Sequence, residues 1–467
     1  MWASRRVNNE ADFLLGGRRL GPWVAGLSYA ASTSSAWVLL GFSGFLFNNG
    51  LSALWMLPGV WGGYIAVWLW LGPKLRQEAS DRNWITPTEF LCANVEGGAR
   101  QRIVVLISLM VVLCFVFYIA AQFDAAAAAF VSSFDMGKSS SLMLGAAIIL
   151  FYCLLGGFWA ASVTDTLQAI VMLAAAILVP TVAVWHAGGP GGISATLLAG
   201  DNAAFLDWTG GMPTYVLIGF ILGVWGVGIG ALGQPQLIAR LMAVRGDKER
   251  RQGFAIAMTW AVVIFLGMSV LALAARALAV APGNSEHIFY LMAERFLPPV
   301  LAGIVIAAIL SAVMSTVDSL LIAASAAVSH DMGIAKRSKL GALTVTRLVM
   351  TGIVICAVLL ALLLPDTIFN RVLFAWSALG AAFGPVLVMR VMGHEPAGNA
   401  RFWSIATGFG LTVLFYTLGT MPADAGNGPL EALIGLAHWP GDPFERVFPW
   451  LPALLILHYW PNRVAHP

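Results

Sequence analysis

In the segment ILSAVMSTVDSLL, residues Ala312, Ser315, Thr316 and Ser319 recur at i, i+3, i+4 and i+7, a spacing that puts them on one face of a helix. Oxygen atoms ranged along such a face suit a small hard cation, which takes oxygen ligands. A hydroxyl in mid-helix can instead bond back to its own helix's carbonyls. A second hydroxyl cluster, Ser28 followed by Ser32-Thr33-Ser34-Ser35 and then Trp37, lies far upstream in another apolar stretch. Residues of these types can bind an ion or a polar solute. Nucleophile, base and oxyanion donors do not come together in any recognisable set, so an enzyme is not expected.

The elements that must carry these hydroxyls are membrane helices. Of 467 residues, 59% are hydrophobic and 10% charged, with a mean hydropathy of +0.82, whereas soluble domains run nearer about 25% charged. The net charge of +3, with no dominant basic block, excludes a nucleic-acid binder. The 18 Trp and 26 Phe supply interface anchors. Cys92, Cys114, Cys153 and Cys356 are widely spaced and form no metal or disulfide pattern. The first 20 residues are polar and basic, unlike a signal peptide.

A bilayer crossing takes about 20 apolar residues. Twelve stretches qualify: 22–47, 51–73, 103–131, 139–159, 162–186, 213–236, 253–281, 298–329, 342–364, 370–392, 402–420 and 445–461. Basic residues gather in alternate connections: Arg5, Arg6, Arg18 and Arg19 before the first span, Arg82, Arg100 and Arg102 after the second, Arg240, Arg245 and Arg250 after the sixth, Lys336, Arg337 and Lys339 after the eighth. The other connections hold acids such as Asp135, Asp201, Glu286, Asp424 and Glu431. By the positive-inside rule both termini are expected in the cytoplasm. The chain divides into a cytoplasmic segment 1–21, a ten-helix core 22–392, and two additional helices with a short cytoplasmic end in 393–467. TPTEFL, in the loop 74–101, reads as a Pro-led short helix with Glu89 in its first turn.

Two spans invite a break in mid-membrane, which is tolerated only where backbone lines a protein cavity. One is the hydroxyl cluster of the first span. The other is GVWGVGIGALGQP in the sixth, with five glycines ahead of Pro235. Glycines in a membrane helix also serve close packing. The two candidates stand five spans apart. Five is odd, so spans 1–5 and 6–10 would enter from opposite sides, the arrangement of an inverted-repeat transporter whose broken helices meet at the binding site.

Five stretches, LGGRRLGPWVAGLSYAAS, LLGGFWAASVTDTLQA, GQPQLIARLMA, ILSAVMSTVDSLL and NRVLFAWSALGAAFGPVLV, resemble the sodium:solute symporter family, most closely its sodium/proline branch. They spread from residue 14 to about 392. The resemblance implies an all-α polytopic membrane protein with a leucine-transporter-type five-plus-five inverted repeat and two extra C-terminal helices, about 12 spans in all. It also implies a sodium ion between helices 1 and 8, held by the carbonyls of Ala31 and Ser34, the Ala312 carbonyl and the Ser315 and Thr316 hydroxyls. In some relatives a second sodium is held at the positions of Asp165, Ser315, Asp318 and Ser319, and every one of these carries oxygen here. The family's usual span before the LGGR motif does not occur in this sequence, so either the protein lacks it or its start is shortened. Thr33 stands where the proline branch has an acid beside the helix 1 ligands, and Ala231 where it has an aromatic in broken helix 6.

Against helices 1, 3 and 6, the expected solute contacts are Ser35, Trp37, Tyr118, Gln122, Gln234 and Pro235. A carboxylate inside a span costs about 2.5–3.5 kcal/mol on insertion scales and is a functional candidate by default. Asp124 is such a candidate for coupling: it could receive a cationic group of the solute or stand in for the acid missing at Thr33. A carboxylate reached by water near the outer interface is the plainer reading. Asp165 could equally belong to the N-terminal turn of its helix.

The expected function is sodium-coupled uptake of a small organic solute by alternating access across a prokaryotic inner membrane. An amino acid such as proline comes first, with pantothenate or another small carboxylate as the alternative. Partners are the solute, sodium and the bilayer, with no nucleic acid and no obligate protein partner. A membrane solute sensor is the competing class, since related cores occur fused to kinases, but no kinase-like sequence follows span 12. A passive channel or a sodium-independent carrier is a further competitor.

Overall fold

Backbone groups inside a bilayer must be satisfied within the protein, and a chain rich in apolar runs meets that demand with helices. The computed structural model describes residues 10–134, 136–155, 157–200, 203–363, 367–423 and 428–460, and among these no strand forms. The expected charges Arg5, Arg6, Asp135, Asp201 and Asp424, and the two chain ends, lie outside the described residues.

The first repeat begins with α1 (Pro22–Ala36), which continues through a π-helical stretch into α2 (Ser43–Asn49). Gly50, at φ +63°, reverses the chain into α3 (Met56–Ile65) and α4 (Gly72–Asp81). The short α5 (Pro87–Leu91) is the expected Pro-led helix with Glu89 in its first turn, and it opens with a capping box, Thr86 with Glu89. Then come α6 (Gly97–Phe134), α7 (Lys138–Leu155) and α8 (Phe158–His186). At 38 residues, α6 far exceeds the thickness of a bilayer.

The second repeat opens with α9 (Thr214–Gly230), a 3-10 turn, an extended Gln234 and α10 (Pro235–Ala243). It continues with α11 (Asp247–Ala277), α12 (Pro299–Ala326), α13 (Ala342–Leu363) and α14 (Ile368–Val391). Beyond it lie α15 (Gly398–Gly419), α16 (Pro443–Arg446) and α17 (Trp450–Tyr459). Among the described residues nine helices are long and apolar enough to span a membrane, one of them the run Pro22–Asp81 that folds back at Gly50. The expected last span, 445–461, is interrupted: Pro449, without an N–H, separates α16 from the ten-residue α17.

The core lies around α1, which packs on α11, α8 and α12. The glycines of α9 do pack closely. A Cβ added at Gly228 would stand 1.8 Å from the Gly59 carbonyl oxygen of α3, so only glycine admits this contact. One pair of backbone bonds ties the two repeats at the basic end: Leu20 N–H donates to the Ala243 carbonyl (3.1 Å), and Arg245 N–H to the Leu20 carbonyl (3.1 Å). The segment before α1 and the end of α10 are thereby held together.

A second tie clamps α5 to the later helices. Arg390 of α14 donates to Glu78 (2.7 Å), Glu395 and the Phe90 carbonyl, and Arg401 of α15 to the Leu91 (2.9 Å) and Ala93 (2.8 Å) carbonyls and to Glu395 (2.8 Å). Burial pushes the Glu395 carboxyl up, but the two guanidiniums outweigh it and hold the group below its ordinary range. Burial raises the Cys92 thiol beside this clamp to about 12.

Candidate ion and solute site

Both expected breaks are present, and they are made differently. In α1 the break is at Ser35, whose φ of +22° and ψ of −169° lie outside the regions an L residue normally adopts. Such a residue costs on the order of 1–3 kcal/mol and persists where the surroundings over-determine it. Here they do: the Ser35 hydroxyl accepts from its own chain's Trp37 N–H (3.2 Å) and from the Tyr118 hydroxyl of α6 (3.3 Å), while Gln122 accepts the Ala36 N–H freed by the break (3.2 Å). The second break needs no strain. Gly233, then Gln234 at φ −87° and ψ 106°, then Pro235 end one helix and start the next.

These bonds gather the expected solute contacts at one place. Ser35, Trp37, Tyr118 and Gln122 meet at the α1 break, all buried. The Gln122 amide nitrogen is buried there without a hydrogen-bond partner. Gln234 donates to the Trp376 carbonyl of α14 (3.3 Å), and the Trp376 ring faces Trp37 at 6.4 Å between centroids. Pro235 adjoins it at the start of α10, lining a cavity that opens toward the basic end with Gln236, Arg240, Thr88 and Asp331. The sequence reading did not include Trp376, because nothing in its local pattern distinguishes it from other interface-type tryptophans.

One turn before the Ser35 break, α1 lies against α12. The Ser32 hydroxyl stands 3.1 Å from that of Ser319 and donates to the Ser315 carbonyl (3.3 Å). Ala31 and Ser34 neighbour Ser32 along α1, and Ala312, Ser315 and Thr316 belong to the α12 stretch that Ser32 bonds, all buried. Two of the α12 hydroxyls bond back along their own helix, Ser315 to the Ala312 carbonyl (3.2 Å) and Ser319 to the Ser315 carbonyl (2.7 Å). The Thr316 hydroxyl does not; it is buried without a partner. The Ser34 hydroxyl, near that of Tyr64, completes no hydrogen bond either.

Asp165, Asp318 and Ser319 also converge, but around a residue counted in the sequence as a cytoplasmic charge. Arg240 is 2% exposed. It donates to Asp165 (2.8 Å), to the Ser28 hydroxyl (2.8 Å), to the Ser319 hydroxyl and to the Gln236 carbonyl (2.9 Å). The Ser28 hydroxyl donates in turn to Asp165 (2.7 Å). Asp318 lies 3.0 Å from the Ser319 hydroxyl and accepts from Tyr152 (3.3 Å). Asp165 is no N-terminal residue: its helix starts at Phe158, two turns earlier. One signal for Arg240 was available, since it lies inside the quoted motif GQPQLIARLMA and within the reach of an apolar helix face.

Asp124 belongs elsewhere. On α6 it pairs with Arg371 of α14 and, at 3.4 Å, with Lys138 at the start of α7. A cavity of about 370 Å³ opens beside it, lined also by His287, Tyr290 and Glu294. Thr33, on α1, bonds back to the Tyr29 carbonyl (2.7 Å) and makes no hydrogen bond with Asp124 among the described residues. Among the described residues no group of three or more His, Cys, Asp and Glu converges as a transition-metal site would require.

This architecture has known counterparts. Residues 13–408 match the sequence profile of the sodium:solute symporter family. The chain is 34% identical over 397 residues to the high-affinity proline transporter PutP of Bacillus subtilis, covering 83% of each protein. It is 32% identical over 428 residues to the sodium/proline symporter of Escherichia coli, covering 89% of this chain and 84% of that one. In three dimensions it is similar to a Na+-coupled sialic acid symporter in a substrate-bound outward-open state, with a TM-score of 0.75 at 18% identity over 98% of this chain and 92% of that one. It is also similar to MhsT in complex with L-phenylalanine, at a TM-score of 0.54 and 14% identity over 94% and 98%. The fold is therefore that of the leucine-transporter type, all-helical with a repeat broken in its first and sixth spans, and the chain belongs to the sodium:solute symporter family.

Proposed function

We propose that this protein is a sodium-coupled importer of a small zwitterionic amino acid, proline being the first candidate. The observation that carries this reading is the seam between α1 and α12, where hydroxyl and carbonyl oxygens face one another beside a broken helix and the Thr316 hydroxyl is buried without a partner. A buried polar group left unsatisfied costs free energy, and a hard cation taking oxygen ligands relieves that cost. In this reading sodium is bound by Ala31, Ser34, Ala312, Ser315 and Thr316. The solute binds next to it at Ser35, Trp37, Tyr118 and Gln122, with Gln234 and Pro235 on the facing break. The unpartnered Gln122 amide suits a carboxylate oxygen.

The function of the relatives, proline transport in Bacillus subtilis and Escherichia coli, supports the solute class. The basic end faces the cytoplasm of a prokaryotic cell, by the distribution of Lys and Arg. Sodium binding rigidifies the seam and favours the same state as the solute, which is the condition for coupling. Each charge carried through 100 mV contributes about 2.3 kcal/mol, roughly 50-fold in accumulation. Ala231, buried at the second break where the proline branch carries an aromatic, is the departure that keeps a larger carboxylate such as pantothenate as the second reading.

Reconstituted protein in liposomes tests this directly. An inward sodium gradient is expected to drive labelled proline uptake at least tenfold above a choline control. Equal uptake in the two conditions overturns sodium coupling, and sodium-driven uptake of labelled pantothenate that unlabelled proline fails to compete transfers the reading to the larger carboxylate.

A further inference from the structure

The knot around Arg240 has a composition that neither packing nor the sodium seam explains. Four helices contribute to it: Ser28 from α1, Asp165 from α8, Arg240 from α10, and Asp318 with Ser319 from α12. Two carboxylates and several hydroxyls converge, the oxygen-rich setting a hard cation takes. One guanidinium is already there, spending three of its donors on Asp165, Ser28 and Ser319. Of the Asp165 oxygens, one accepts from both Arg240 and Ser28 and the other is buried without a partner. Against two buried carboxylates, Arg240 supplies one positive charge.

Resting on the sodium-coupled reading above, we infer that Arg240 is a tethered cation that takes the place of a second sodium between Asp165 and Ser319, so that one free ion accompanies each solute. A free sodium and the guanidinium cannot share the same Asp165 oxygen, because like charges in a low-dielectric interior repel strongly. Arginine suits the post better than lysine: its fork addresses a carboxylate and hydroxyls at once and stays charged when buried. Its tether matters as well. Arg240 sits on α10, directly after the break at Gln234, and its side chain lines the cavity that leads to the basic end. Movement of α10 relative to α8 and α12 therefore changes how the Asp165 charge is compensated. The arginine acts as a positioning residue for the cation seam, to which Ser319 and Ser32 connect it.

Two measurements test this. Equilibrium binding of radioactive sodium to the purified wild-type protein is expected to give one ion per chain. Two ions overturn the inference and leave sodium coupling standing, whereas no bound ion overturns both. Sodium titration of solute uptake is expected to give a Hill coefficient of about 1 in the wild type and in Arg240→Lys, which keeps the charge. In Arg240→Gln the vacated carboxylates are open to a second free ion, and the coefficient is expected to rise toward about 2. The double variant Arg240→Gln with Asp165→Asn loses the second carboxylate ligand and is expected to return to about 1. A folded Arg240→Gln protein whose coefficient and sodium affinity match the wild type overturns the assignment and leaves Arg240 a structural clasp. If that variant does not fold, the wild-type binding stoichiometry decides the matter alone.

Discussion

Of the arginine–carboxylate pairs that join the first repeat to the second, two are built on opposite terms. Asp165 and Arg240 are sealed, at 0% and 2% side-chain exposure, among hydroxyls from α1 and α12. Asp124 and Arg371 are joined by Lys138, which is 62% exposed, and Asp124 and Lys138 line a cavity. The same chemistry thus serves two ends. In the sealed pair nearly all of the compensation comes from within the knot, because both side chains are buried. In the open one, solvent and a second cation share the task. The sealed pair is therefore the one tied by hydrogen bonds to the seam between α1 and α12, whereas the other shares its carboxylate with an exposed lysine.

Removing one partner sharpens this contrast most. Asp165→Ala strands a buried guanidinium and is expected to destabilise the protein by about 3–5 kcal/mol, read as a large fall in thermal unfolding temperature in detergent. Removing the charge at both ends, Asp165→Asn with Arg240→Gln, is expected to recover most of that loss, since an uncompensated buried charge and not a missing attraction is the main penalty. Failure of the double variant to recover would show that the hydroxyl network matters more than the charge.

Within the seam, Thr316→Ala is expected to weaken sodium activation of uptake about tenfold, equivalent to about 1.4 kcal/mol, with Thr316→Ser close to wild type. An unchanged sodium affinity in the alanine variant would remove that hydroxyl from the ion site. At the open pair, Lys138→Ala is expected to cost at most about 1 kcal/mol and to lose even that in high salt. A salt-independent loss of several degrees would make the two ends alike.

The smallest effect concerns the clamp at the basic end. Arg390 and Arg401 hold the Glu395 carboxyl below its ordinary value. Its stabilising contribution is thus complete above the unfolded value of about 4.3 and is lost as pH falls through the lower folded value. The side chain is 40% exposed, so solvent screens the effect. A slight fall in unfolding temperature below about pH 4 that Glu395→Gln abolishes is the expected outcome.

Much of the architecture was legible because membrane folding imposes local rules. Apolar length announces a span whatever its neighbours do, and the glycines before Pro235 announce a break through backbone chemistry alone. The hydroxyl face of α12 follows from helical spacing, and the residues proposed to contact the solute lie together around Ser35 because α6 packs its Tyr118 and Gln122 against the α1 break. What spacing could not say was which hydroxyls are spent. Ser315 and Ser319 bond back along α12 while Thr316 does not, a matter of rotamers set by packing against α1.

Arg240 marks the limit of reading along the chain. In sequence it looks like one more basic residue following a span, and in space it lies buried against an aspartate 75 positions away. Asp124, in contrast, was legible as an outlying acid but not as the partner of Arg371. Local composition determines which segments are helical and where they weaken, because those preferences act over a few residues. Which charge is sealed with which is decided only when distant helices close on one another, since burial makes an ion pair obligatory and burial is a property of the assembled bundle.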